Sequence, residues 1–137
     1  MRQAARFLCC LLVFALARPT LAAPPSDIVY GAAVTQCLVS EPAGPSVKRL
    51  HNLCIFRINI TFCQIKRDGD DCAAGHISGT TMGAKTSRSL LEDVIDTHYV
   101  VCRDPFYLPQ NAAAWKDGHL LGRCQASRSA IRAARRR

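Results

Sequence analysis

The chain has 137 residues, 49% of them hydrophobic, with 18 Lys and Arg against 10 Asp and Glu for a formal charge of +8, and eight cysteines. The length suits one small domain once a leader is removed. After Ala17 no apolar run approaches the ~20 residues that a membrane-spanning helix needs, so no transmembrane segment is expected.

In chain order, "MRQAARFLCCLLVFALARPTLAAPPSD" sets Arg2 and Arg6 ahead of an apolar run from Phe7 to Ala17 and small residues at Ala22 and Ala23. This is the layout of a secretory signal peptide, expected to span residues 1–22, with Cys9 and Cys10 as apolar filler removed with it. The mature chain is therefore expected to be secreted or periplasmic. The leader takes Arg2, Arg6 and Arg18 with it, and residues 23–124 hold ten basic against ten acidic residues. The remaining +5 lies on Arg128, Arg132, Arg135, Arg136 and Arg137. A neutral disulfide-stabilised domain at 23–124 with a basic tail at 125–137 follows, the tail expected to be disordered in water because so short a segment is a marginal helix.

Residues 28–40 read as a β-prone run, and "EPAGPS" at 41–46 as a loop. In "HNLCIFRINITFC" apolar and polar residues alternate, which predicts one half-buried strand with Cys54, Phe56, Ile58, Ile60 and Phe62 inward and Arg57, Asn59 and Thr61 toward solvent. "KRDGDD" is a polar turn. For residues 89–97 two readings stay open: a short helix with Ser89 and Glu92 as a capping box, or a strand ending at Leu91 followed by a turn. "HYVVCRDP" reads as a strand stopped by Pro105, "FYLPQNAAAWKDG" as a long loop closed by Asp117 and Gly118. Many short strands between Gly and Pro predict a mostly β fold, a small disulfide-stabilised sandwich or partial barrel with at most one short helix.

Six cysteines remain after the leader: Cys37, Cys54, Cys63, Cys72, Cys102 and Cys124. In an oxidising compartment an even set predicts three disulfides, formally with 15 pairings. Cys54 and Cys63 would stand about 30 Å apart in a straight strand at ~3.3 Å per residue, too far to bridge. Cys63 with Cys72 across the polar turn is the favoured pair, with Cys37–Cys54 and Cys102–Cys124 as further local pairings.

The succession of Asn52 and Cys54, Phe62 and Cys63, Val101 to Arg103 with Pro105, then Trp115, Asp117, Gly118 and Cys124 resembles small, secreted, largely uncharacterised bacterial cysteine-rich β-domains over residues 37–124. "NLCIFRINI" is also similar to the opening strand of thaumatin-like proteins, though the chain is too short and too poor in cysteine for that fold. Neither resemblance implies a catalytic residue or a cofactor.

His51-x-x-Cys54 with Cys72-x-x-x-His76 has the ligand types of a zinc site, but oxidation of both thiols is favoured, so no metal is expected. "RDGDD" lacks the ligand alternation of a calcium loop. No esterase elbow, zinc-protease or P-loop motif occurs. The expected function is non-enzymatic binding to an unidentified protein or surface ligand, and the alternative is a small secreted hydrolase using His98 or His119. Phe106, Tyr107 and Trp115 are candidates for partner contact or for covering one end of the domain. "NIT" at Asn59 is an N-glycosylation sequon, relevant only in a host that glycosylates. The five tail arginines are candidates for contact with an anionic membrane, lipopolysaccharide or nucleic acid.

Overall fold

The computed structural model describes residues 27–44, 47–89 and 93–136. The signal-peptide reading of residues 1–22, the Leu90 to Glu92 part of the capping box, and Arg137 lie outside the described residues.

The strands are β1 (Ile28–Gly31), β2 (Leu38–Pro42), β3 (Lys48–Asn52), β4 (Ile58–Lys66), β5 (Gly69–Asp70), β6 (Ser78–Met82), β7 (Ser87–Ser89), β8 (Val94–Arg103), β9 (Ala114–Lys116), β10 (His119–Leu121) and β11 (Cys124–Ser127), followed by helix α1 (Arg128–Ala134). All pairings are antiparallel. The central sheet places β4 between β8 on one side and β6 and β5 on the other, β3 lies between β2 and β7, and β1–β11 and β9–β10 are two-stranded. The fold is mostly β, as the turn-punctuated sequence predicts, with no closed barrel among the described residues.

β4 explains how the layers are arranged. Its Ile58 and Ile60, with Val101 of β8, meet Leu38 and Leu50 of the β2–β3 sheet and Met82 in one core. The opposite faces of β4 and β8 place Cys63, Val100 and Cys102 in a second core with Cys72, Leu108, Leu120 and Cys124, flanked by Phe106 and Trp115. A strand buried on both faces needs apolar residues at both parities, which "YVVC" in β8 supplies. In β4 one of the two faces is partly polar, and the loop after β8 covers it. Across the β4–β8 ladder Gln64 faces Thr97, both buried, and neither Gln64 Nε2 nor Thr97 Oγ1 has a hydrogen-bond partner among the described residues.

The continuous strand expected over 51–63 is broken at residues 53–57. Buried Asn52 accepts from Cys54 N on Oδ1 at 3.0 Å and donates from Nδ2 to Phe56 O at 2.9 Å and Gly83 O at 2.7 Å. This side chain substitutes for ladder bonds and turns the chain, as Asn does in an Asx turn. The inward set survives the break, since Cys54, Phe56 and Phe62 still pack on the first core. The outward set survives only at Arg57, which is exposed, whereas Thr61 is buried and Asn59 half-buried.

The three bridges are Cys37–Cys54, Cys63–Cys72 and Cys102–Cys124, with Cα separations of 5.2, 5.0 and 5.6 Å. Local pairing across turns thus matches the structure at all six positions. The Cys63–Cys72 bridge closes the β4–β5 hairpin beside a 2.7 Å Lys66–Asp71 ion pair. That contact holds the Asp71 carboxyl below its ordinary range and raises the Lys66 ammonium above its own. Such paired cysteines fit an oxidising compartment, and among the described residues no helix is long and apolar enough to cross a membrane.

Residues 94–97 belong to β8, so the helical reading of 89–97 fails there, and the helix lies instead at 128–134. Residues 125–127, expected as the start of a disordered tail, are the last three of β11 and pair with Ile28 to Tyr30. Ser127 then caps α1, its Oγ accepting from Ala130 N at 3.0 Å. The ladder fixes the helix start and the cap satisfies one of its orphan amides, which offsets part of the nucleation cost that a free peptide of this length would bear.

Candidate functional site

The segment after β8 crosses the second core as a fixed strap. Asn59 Nδ2 donates to Phe106 O at 2.8 Å and to Asp104 Oδ1 at 3.3 Å, while its Oδ1 accepts from Thr81 Oγ1 at 2.8 Å. Thr61 Oγ1 donates to Leu108 O at 2.6 Å. Tyr107 N donates to Gln125 O at 3.0 Å and Gln125 N returns a bond to Tyr107 O at 2.8 Å. Three successive carbonyls, from Phe106 to Leu108, are thereby held by β4 side chains and by β11. The "NIT" sequon consequently acts as a clamp. Asn59 Nδ2, the atom a glycan would occupy, is already committed to two acceptors.

The three candidate aromatics separate. Phe106 and Trp115 pack on the second core, and Trp115, expected in a loop, sits in β9 with its ring edge-on to His98 at 4.7 Å. β9 and β10 form a hairpin across Asp117 and Gly118, whose φ values of 50° and 77° are left-handed and fit a two-residue type I′ turn. Tyr107 alone remains exposed, at 49%. It borders an open cleft of about 720 Å³ between β6 and the strap, lined also by Asn59, Thr81, Asp104, Gln110 and Asn111.

The zinc set does not assemble, because Cys54 and Cys72 belong to different disulfides, and among the described residues no three His, Cys, Asp or Glu side chains converge as metal ligands. His76 lies 3.7 Å from Asp71. His98 pairs with Asp96 at 3.4 Å and has its ring against Trp115, and among the described residues no hydroxyl bonds to it. His119 is exposed.

One constellation has no announcing motif. On the outward face of the β2–β3–β7 sheet, Ser87 Oγ is 2.7 Å from His51 Nδ1 and His51 Nε2 is 3.3 Å from Glu41 Oε2. Strand register alone places it, since His51 stands opposite Ser87, and Glu41 stands opposite Arg49, the next residue on the His51 face of β3. The order of hydroxyl, imidazole and carboxylate is that of an activated nucleophile, but the Glu41 side chain is 60% exposed, so its contact with His51 is a weak surface one.

The basic side chains of the C-terminal segment align. Arg128, Arg132 and Arg135 are i, i+4 and i+7 on one face, Arg136 follows Arg132 by four, and all four are exposed. Ala130, Ile131 and Ala134, on the other side, are half-buried. Arg123 adds a guanidinium over the Tyr30 ring at 4.0 Å. Comparison with protein-family models, curated proteins and solved structures finds no match for the chain.

Proposed function

We propose that the chain is a secreted or periplasmic disulfide-stabilised domain that acts by binding, without turnover, and that its C-terminal arginines attach it to anionic surfaces. The supporting observation is the exposure of Arg128 and Arg132 on one side of a capped helix, and of Arg135 and Arg136 in the turn that ends it, while the opposite side of the helix is half-buried. A neutral body with four of its five excess charges on one stripe has a directional electrostatic contact, and each basic residue near an anionic membrane contributes about 1 kcal/mol, screened by salt. Anionic lipid, lipopolysaccharide and nucleic acid share the required phosphate chemistry. Replacing Arg132, Arg135 and Arg136 by Gln should lower the salt needed for elution from heparin while leaving the melting temperature unchanged. Unchanged elution would refute the reading.

The Ser87–His51–Glu41 contacts favour a second reading, a hydrolase working at that group in place of His98 or His119. Its test is labelling by a fluorophosphonate probe, with Ser87→Ala as the control. Binding is preferred because the Glu41 side chain is 60% exposed, and a carboxylate so well solvated orients and stabilises the imidazole only weakly.

A further inference from the structure

We infer that the cleft beside Tyr107 is a binding site for a neutral oligosaccharide; this rests on the binding-domain reading and names its ligand class. Three features point there. First, the cleft lining contains hydroxyl, carboxamide and carboxylate groups and no Lys, Arg or His, so it has nothing to recognise phosphate or sulfate. Second, the Gln110 and Asn111 carboxamides make no side-chain hydrogen bond within the described residues, and both are exposed. Among the described residues the Asp104 side chain accepts on Oδ1 alone, from Asn59. These donors and acceptors match the alternating hydroxyls of a sugar ring. Third, Tyr107 offers an exposed ring on a backbone bonded both ways to Gln125. An aromatic face of this kind takes the apolar C–H face of a pyranose, and its fixed backbone limits the ordering cost of binding.

The cleft volume of about 720 Å³ lies within the range of small-molecule sites. The floor is kept low by Gly79, where a Cβ would approach Gln110 Nε2 at 3.6 Å. Larger side chains there would fill the space in which a ligand reaches Gln110. The cationic stripe at the C-terminal segment and this cleft are chemically independent, so one molecule can hold an anionic surface and a neutral glycan at once.

The test is a panel of immobilised neutral glucan, mannan and chitin oligosaccharides, followed by titration of the best binder against native protein, Tyr107→Ala, Gln110→Ala with Asn111→Ala, and Gly79→Val. The expected result is binding by the native protein and a loss of about tenfold or more in each variant, with heparin elution unchanged. Gly79→Val keeps the Tyr107 ring and fills only the floor, so it decides the matter if Tyr107→Ala fails to fold. Absence of binding to every neutral glycan, unaltered affinity in the variants, or displacement of the glycan by no competitor but an extended peptide lying along β6 would overturn the assignment. Cleavage of the bound glycan would support the site while overturning the non-enzymatic reading.

Discussion

Asn59→Ala tests whether the sequon side chains are structural. The substitution deletes two donor contacts and one acceptor contact, at 2.8, 3.3 and 2.8 Å. A typical hydrogen bond contributes about 1 kcal/mol net, and an orphaned, partly buried carbonyl costs about 1–3 kcal/mol. Because Thr81 is exposed and Phe106 only half-buried, both can recruit solvent, and the loss should be about 2–3 kcal/mol. Thr61→Val keeps the shape but orphans Leu108 O, which belongs to a residue only 3% exposed, and should cost about 1–3 kcal/mol. The two side chains hold one strap, so the double variant should lose less than the sum. For a domain of roughly 110 residues, 1 kcal/mol shifts the melting temperature by about 4 °C. Urea unfolding followed by the fluorescence of Trp115, the single tryptophan, measures the loss in protein from a host that does not glycosylate. Destabilisation below about 0.5 kcal/mol in both single variants, or loss only in a glycosylating host, would refute the clamp.

Replacing Cys102 and Cys124 by Ala opens a bridge across 22 residues and should lower stability by about 3 kcal/mol through the freed unfolded chain; equilibrium unfolding that shows less than about 1 kcal/mol would contradict a structural role. The depressed pKa of Asp71 contributes stability above its unfolded pKa of about 3.9, lost as pH falls through the lower folded value. Melting temperatures between pH 6 and pH 2 should therefore fall less steeply below about pH 4 for Asp71→Asn than for native protein, and parallel curves would exclude the Lys66 contact as the cause.

Much of the architecture is legible in residue order because it is local. Each disulfide joins neighbouring cysteines in chain order, at separations of 17, 9 and 22 residues, and the inward apolar set of "CIFRINITF" follows strand parity. What escapes the sequence is covering and capping. Asn52 breaks the strand because its carboxamide finds Phe56 O and Gly83 O, the latter 31 residues away. Asn59 and Thr61 look like a solvent face until a strap 47 residues downstream lies on them. Asp117 and Gly118 do signal a type I′ turn, yet the alanine run before Trp115 reads as loop, and only the pairing of Ala114 to Lys116 with His119 to Leu121 makes it a strand. The tail reads as coil because isolated-helix arguments ignore the β1–β11 ladder that starts it. The Ser87–His51–Glu41 group comes from three strands in register, which no spacing encodes.

The central claim is a directional anionic contact through the C-terminal stripe, and co-sedimentation with vesicles tests it most directly. Native protein and the Arg132→Gln, Arg135→Gln, Arg136→Gln variant are compared on phosphatidylglycerol-containing and purely zwitterionic vesicles at low and high salt. At about 1 kcal/mol per arginine, the variant should bind anionic vesicles roughly a hundredfold more weakly at low salt, and native binding should collapse at high salt and be negligible on zwitterionic vesicles. Equal binding of the two proteins, or native binding indifferent to salt and lipid charge, would contradict it.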